Sequence, residues 1–502
     1  MICSTIREIL VQSADRLSNK DAIRYKKGKD QIESKTYTQL KEGSERFSAV
    51  LKALGEQGQH VAVVGATSYE WLVTYFGTVN SGSVAVPLDV LLPVEEMCEL
   101  VDRSDATVFV VDEVRSDVLA VAKGRCPKLK YVISMQKAES ADGILSFWQL
   151  MNAEEPGSTC EVLPNQLATI MFTSGTTGKS KGVMPTHRNL AENATCLDMK
   201  IPEDTVLLSV LPIHHAYCLT NDFLKGLSNG STICINDSLM RMVKNIKLFK
   251  PNMILMVPLM IETIAKKLEG SKGIPAPLVK LSVFGKQFHT ICSGGAYLPP
   301  AMVDLFKKYD IDILQGYGMT ECAPVISTTV SWNIRKGSVG QLMPNCEAKT
   351  VDEELWVRGS SVMQGYYKMP EETAETLVDG WLRTGDLGYV DGDGFVYLTG
   401  RKKNLIITKN GENVSPEELE NKLGENRLIC EIIVRENEGV IEAEIFPDKE
   451  YVEKKKIKDV QGELQKLIDE YNQGAPAYKR IYSLKVRDTE FPKTPSKKIK
   501  RY

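Results

Sequence analysis

The run Thr173-Ser174-Gly175-Thr176-Thr177-Gly178-Lys179-Ser180-Lys181-Gly182-Val183 gathers hydroxyls, glycines and two lysines into one short stretch. The apolar run Ala168 to Phe172 before it reads as a short buried strand, and His187 to Asn193 after it reads as a helix start. The expected order is therefore strand, loop, helix. Such a loop turns backbone N–H groups inward, and its hydroxyls and ammonium groups add to them, which suits a polyphosphate. It is not a Walker A loop, which needs a glycine where Thr173 stands. A solvated Ser/Thr/Gly linker is the plain alternative, and the compact basic loop between regular elements argues against it.

Four further stretches carry chemistry-bearing residues: Gly316-Tyr317-Gly318-Met319-Thr320-Glu321, Arg383 to Gly388 around Asp386, Gly400-Arg401-Lys402-Lys403, and Pro492 to Lys498. Taken singly they are ordinary. Tyr317 alone reads as a core or rim tyrosine, Glu321 and Asp386 as solvated or helix-capping acids, and Lys403 as a surface lysine. By composition the basic, acid-free chain end reads as a solvated tail. His215 follows a buried strand, and adjacent His214 reads as structural. No His/Cys cluster has zinc spacing, and no Gly-x-Ser-x-Gly elbow is present.

The elements that must hold these residues alternate. His60 to Val64, Val84 to Leu88 and Ala106 to Val111 read as buried strands separated by helices at about 68–80 and 94–103. Val206 to Leu211, Ser231 to Ile235, Met253 to Val257, Thr290 to Ser293 (leading into Gly294-Gly295-Ala296) and Ile311 to Gln315 continue the pattern. Strands alternating with helices imply a parallel α/β sheet covered on both faces. From Lys336 to Leu398 short strands and glycine or acidic turns predict a small β-subdomain. The remainder, with helices expected from Pro416 and from about Val460, predicts a small α+β unit. The expected organisation is a large domain over 1–400 (its β-subdomain 336–400), a hinge at 401–403 and a small mobile α+β domain over 404–502.

Composition narrows the class. The chain has 502 residues, enough for two or three domains, and a formal net charge of −3, which favours neither nucleic acid nor an anionic membrane. Eleven cysteines without a C-x-x-C pair suit reduced thiols in a cytoplasm. The N-terminus has no signal-peptide core, and the most apolar run, Met253 to Leu259, is too short to span a bilayer. Peripheral membrane contact is left open.

Taken in order, the five motifs resemble the adenylate-forming superfamily of acyl-CoA synthetases, peptide-synthetase adenylation domains and luciferases. The segment Asp379 to Glu420 looks most like bacterial long-chain fatty acyl-CoA synthetases. The resemblance implies ATP, Mg²⁺ and coenzyme A, or a carrier protein's phosphopantetheine, with a carboxylic, fatty acid as substrate. It also implies roles. Thr173, Ser174, Gly175, Thr176, Thr177, Gly178 and Lys179 would cover the β- and γ-phosphates. Tyr317, between Gly316 and Gly318, would stack on adenine, with Gly294, Gly295 and Ala296 as the opposite wall. Thr320 would touch the α-phosphate. Glu321 would hold Mg²⁺, with Thr173 the weaker candidate. Asp386 would accept both ribose hydroxyls, and Arg401 would add a donor beside them. Lys498 would bridge carboxylate and α-phosphate, His215 would lie near the acyl and thiol channels, Lys403 would be the hinge, and Gly411 would sit in the loop along which the thiol enters.

Departures from the family pattern are Ser180 in place of the usual proline, Met184-Pro185 before Thr186, and Lys497 where a glycine usually precedes the catalytic lysine. Lys497 stays open as the alternative catalytic lysine. Amino-acid-activating relatives carry an aspartate where Tyr217 aligns, so an uncharged acyl tail is favoured. Three functions stand: a fatty acid:CoA ligase, an acyl-AMP enzyme loading an acyl carrier protein, and, remotely, a P-loop-type kinase or NTPase.

Overall fold

The computed structural model describes residues 2–28, 30–157, 160–173, 179–271, 273–408, 412–493 and 499–501. The chain divides into two compact units, Met1–Ala348 with Val357–Arg383, and Lys349–Trp356 with Thr384–Tyr502. Both are mixed α/β, as the alternation predicted.

In the first unit, buried strands sort their side chains by parity. Val61 and Val63 enter one core while Ala62 and Val64 enter another, and Leu207 and Ile233 part from Leu208 and Cys234 in the same way. A strand that buries both faces needs helices on both sides. The result is two sheets sharing a middle layer of helices. One sheet has five parallel strands, in the order Val84–Leu88, His60–Val64, Ala106–Val111, Tyr131–Ser134, Ile144–Ser146. The other has nine. Its parallel centre runs Asp312–Gly318, Thr290–Ser293, Met253–Met256, Val206–Ser209, Thr232–Ile235, Asp21–Lys27, and antiparallel strands close both edges.

The shared layer includes helices Ile6–Leu17, Tyr37–Ala53 and Tyr69–Asn80. In Tyr69–Asn80 every residue but Glu70 is buried, as a helix apolar all round must be. Starts are set by caps. Thr36 and Gln39 form a reciprocal capping box before Tyr37, and Thr186 and Asn189 form another before helix His187–Thr195.

The phosphate-loop region departs from the expected strand, loop and helix. Strand Met171–Thr173 pairs antiparallel with a second strand, Lys181–Val183, and the helix begins only at His187. The reason is a partner distant in sequence. Met184 and Gly365 pair through their backbones, Tyr367 N–H donates to the Gly182 carbonyl at 2.7 Å, and Val183 bridges Tyr366. The predicted buried strand is also shorter than expected: Ala168 to Ile170 dock on Ala85 instead of joining the hairpin.

The β-subdomain is a five-stranded sheet, and the boundary between units falls within its strands Cys346–Val351, Glu354–Gly359 and Trp381–Val390. In the second unit, Ile429–Asn437, Val440–Pro447 and Ser483–Val486 form a sheet against helices Pro416–Gly424 and Val460–Gly474, around a core of Leu419, Ala443, Ile445 and Leu464. No helix among the described residues is long and apolar enough to cross a membrane.

Thr186 is buried, its Oγ accepting the Asn189 N–H at 3.1 Å while its own N–H donates to Asn189 Oδ1 at 2.7 Å. Thr186→Ala leaves that Asn189 donor unsatisfied and is expected to cost about 1–2 kcal/mol. Calorimetry should show a melting temperature lower by about 2 °C or more; an unchanged transition would mean that the box does not set this helix start.

Candidate active site

The register of the nine-stranded sheet brings the candidate residues to one edge. Met256 pairs with Ser293, and Ser293 with Gln315, so the residues that follow each strand run side by side. In open α/β sheets this carboxyl edge is where ligands bind. Gly294-Gly295-Ala296 therefore follow one strand and Gly316-Tyr317-Gly318 end its neighbour, as two walls would. Tyr317 is a strand residue, 8% exposed and paired with Ser327. Glycine is required at two places. A Cβ on Gly294 would stand 2.7 Å from the ring of Tyr217, and one on Gly318 would stand 1.9 Å from the Pro324 carbonyl oxygen.

Thr320 and Glu321 follow in a tight 3₁₀ turn, Thr320–Cys322. Glu321 Oε1 accepts a hydrogen bond from the Tyr366 hydroxyl at 2.8 Å, and the Glu321 carbonyl accepts the Met363 N–H at 2.9 Å. The ammonium of Lys181 lies 4.8 Å from the Tyr366 ring centre. Tyr366 thus ties Glu321 to the root of the hydroxyl-rich loop. Its own O–H is held acidic only far above neutrality, by burial and by the Glu321 charge. One carboxylate held by one donor suits a hard cation that takes a carboxylate and completes its shell with phosphate oxygens and water. Glu321 is the residue that could hold Mg²⁺.

Thr173 ends its strand opposite Lys181, and Lys179 is exposed. Ser174, Gly175, Thr176, Thr177 and Gly178 lie outside the described residues. At the loop's end, where Ser180 replaces the usual proline, Arg103 donates to the Ser180 carbonyl at 2.8 Å and stacks over Phe172. An arginine from another helix supplies the restraint that proline would have given. His215 is exposed, on the loop beyond Val206–Ser209, with its ring 4.2 Å from that of His214. His214 is mostly buried with Nε2 3.7 Å from Asp89, and burial, then His215, pushes its pKa well down.

Asp386, Arg401 and Lys403 belong to the second unit. Asp386 is 5% exposed and pairs across strands with Arg401, whose Nε lies 2.7 Å from Asp386 Oδ1. Next to them Glu354 accepts the Gly385 N–H at 3.0 Å and the Lys402 ammonium at 2.9 Å. Burial opposes its charge, but these two donors prevail and hold its carboxyl below the usual range. Burial and the positive charges of Arg401 and Arg501 lower the pKa of Lys403. Gly411, Lys497 and Lys498 lie outside the described residues. Lys493 and Ile499 on either side of the last two are bridged to each other, and Phe491 is buried against Ile433 and Phe446.

A cavity opens along the inner face of the nine-stranded sheet. Strand residues Leu314, Cys292, Met253, Leu255 and Leu207 form its floor, and the helical stretch from Tyr217 to Asn229 forms its roof. Tyr217 lines it, as the alignment of that stretch implied. Asp222 and Lys225, which the sequence reading did not single out, line the cavity too. Both are buried; Asp222 lies within a π-helical turn, Leu219–Leu224, and Lys225 directly follows it, a turn that no spacing rule in the sequence announces. Tyr366 was missed as well, because its role depends on a contact 45 residues away.

Burial raises Asp222 to about 7, against smaller opposing bonds from Ser209 and Cys218. The folded pKa lies above the unfolded one, so the folded state binds the extra proton. Its stabilising effect is complete below about pH 4 and is lost as pH rises through about 7, on the order of 4 kcal/mol in all. Asp222→Asn removes this dependence. Chemical denaturation should show the variant gaining on the wild type between pH 5 and 8; a constant difference across that range would contradict the assignment.

Residues 10–367 match the AMP-binding enzyme family and residues 403–502 its C-terminal domain. The chain is 29% identical over 499 residues to 4-coumarate–CoA ligase 3 of Oryza sativa subsp. japonica, covering 93% of this chain and 86% of that one. It is 27% identical over 433 residues to the long-chain-fatty-acid–CoA ligase FadD15 of Mycobacterium bovis, covering 76% and 72%. In fold it is similar to an anthranilate CoA ligase solved with anthranoyl-AMP, with a TM-score of 0.85 over 99% of this chain and 95% of that one at 22% identity. Glycine walls at the carboxyl edge of a parallel sheet, an anchored carboxylate beside a hydroxyl-rich loop, and a match over most of the chain lead to one conclusion: the protein belongs to the AMP-binding enzyme family.

Proposed function

We propose that this protein is an AMP-forming acid–thiol ligase, with a fatty acid as substrate and coenzyme A as acceptor. The observation that carries the reading is the cavity. It runs from Gly316, beside the adenine-side residue Tyr317, along an apolar strand floor. A carboxylate seated at that end has its tail in the cavity and its oxygens toward the nucleotide edge. Similarity to ligases named for aromatic and for long-chain fatty acids supports the ligase chemistry more than the choice of acid. The mainly aliphatic floor favours an alkyl tail. Transfer to a carrier protein's phosphopantetheine is the alternative acceptor. The P-loop kinase reading falls away with the family assignment. A reducing, cytoplasmic setting goes with the reading, since the cysteines stand as free thiols.

In the first step a substrate carboxylate oxygen attacks the α-phosphorus of ATP and pyrophosphate leaves with the bonding pair. In the second a thiolate attacks the acyl carbonyl and AMP leaves. The protein's task is to position the partners and offset charge. Tyr317 and the Gly294–Ala296 wall hold the base, and Asp386 with Arg401 the ribose. Glu321, oriented by Tyr366, would hold Mg²⁺, which would supply charge neutralisation on the phosphates. Lys498 bridges carboxylate and α-phosphate.

ATP–pyrophosphate exchange over a panel of carboxylic acids tests the reading; fatty acids should drive exchange better than any amino acid, and ADP as product would sink it. In the same assay Asp386→Asn should raise the KM for ATP by tenfold or so, because charge-assisted bonds are about twice as strong as neutral ones. Unchanged affinity would remove Asp386 from the site.

We infer a second feature, rotation of the C-terminal domain about Lys403 between the two steps. Lys498 must reach the α-phosphate first, whereas the thiol must later approach the acyl carbonyl by way of the loop containing Gly411. Lys498→Ala should abolish exchange while sparing thioester formation from supplied acyl-AMP. Lys403→Pro should do the reverse, since proline fixes φ and removes a donor at the pivot. Equal loss of both steps in both folded variants would defeat the hinge. The Lys498 pattern appearing in Lys497→Ala would move the catalytic lysine by one.

A further inference from the structure

The cavity has two ends of different chemistry. Its floor crosses five adjacent strands, from Gly316 at one side to Ser231, just before strand Thr232–Ile235, at the other. Four strand spacings of about 4.8 Å make this roughly 19 Å. The roof runs the same way. Tyr217 packs on Gly294 at the nucleotide end, and the helical stretch then carries Lys225 about 12 Å further along at about 1.5 Å per residue.

At that far end two polar groups face the cavity with bonding capacity to spare. The Lys225 ammonium donates to the carbonyls of Ala194 and Leu197, both at 3.1 Å, which uses two of its three N–H bonds. Among the described residues no carboxylate lies within ion-pair distance of it, and burial lowers its pKa. The side chain of Ser231 is fully buried, and its Oγ has no hydrogen-bond partner among the described residues. An unpartnered buried hydroxyl and a buried ammonium short of one acceptor are costly beside a plain methyl terminus.

Resting on the ligase reading above, we propose that Lys225 and Ser231 form a subsite for an oxygen on the substrate's far end, so that the preferred acid is a fatty acid carrying a terminal hydroxyl or a second carboxylate. An extended chain advances about 1.2 Å per bond, so about ten to sixteen bonds separate the reacting carboxyl from this subsite. Lys225 also caps the carbonyls after helix His187–Thr195, and that structural role must be separated from recognition.

The test is initial-rate kinetics of the purified full chain with ATP and coenzyme A on medium-chain monocarboxylic acids and their ω-hydroxy and ω-carboxy counterparts. The wild type is expected to favour an oxygenated acid over its matched plain acid by about tenfold or more in kcat/KM, and the two oxygenated arms distinguish a neutral from an anionic terminus. In Lys225→Met and Ser231→Ala that ratio should collapse toward one. A purely structural Lys225 would lower both acids alike and keep the ratio. Ser231→Ala, which breaks no side-chain bond among the described residues, keeps the test open if Lys225→Met folds poorly. A wild-type ratio at or below one, or a ratio unchanged in both variants, overturns the subsite. Pyrophosphate exchange with plain acids at equal strength overturns it too but leaves the ligase reading intact; exchange with no acid defeats both.

Discussion

Parallel pairing from Asp312–Gly318 to Thr232–Ile235 is the constraint on which the rest of the first unit depends. Parallel strands deliver all their carboxyl ends to one edge, and their crossover helices must cover both faces. The edge therefore collects loops that are adjacent in space and up to a hundred residues apart in the chain. The inner face, covered by a helix with a π-helical turn, leaves room for a cavity that begins at this same edge. The glycine-bearing strand ends and the cavity floor are thus two surfaces of one sheet. Gly294 belongs to both: its missing side chain admits the Tyr217 ring that closes the cavity beneath the glycine wall.

The second theme is how charge is held before any ligand arrives. Glu321 is oriented by a tyrosine, Asp386 by an arginine, and Glu354 by a lysine and a backbone N–H. Each carboxylate keeps its orientation through bonds to the charged form, so little reorganisation is needed when phosphate or ribose arrives. Asp222 is the contrast. Burial raises its pKa to about 7, against smaller opposing bonds from Ser209 and Cys218. Lys225 bonds the carbonyls at the end of helix His187–Thr195, where a cation is favoured, while burial lowers its pKa.

Local pattern and tertiary structure contributed different things. Strand and helix alternation and the glycine-bearing strand ends were legible, because they depend on side-chain parity and on neighbouring residue types. The order of the motifs carried the family, and with it the expected roles of Tyr317, Glu321 and Asp386. What no local rule could supply was pairing across long separations. Lys181–Val183 became a strand because Tyr366 and Tyr367 lay beside it, and Ser180 is restrained by an arginine from a distant helix.

The character of the acyl cavity shows the division most clearly. Tyr217 was legible as a lining residue, and from it an uncharged pocket followed. Asp222 and Lys225, a few residues on, looked like ordinary positions on a helix. A π-helical turn changes which side chains share a face, and a buried site makes each polar atom count, since water is not there to satisfy it. The sequence by itself determined the family, because its marks are written in contiguous motifs. Only the tertiary structure decided what meets the substrate's tail, because that surface is assembled from one residue here and one there on five strands and a helix.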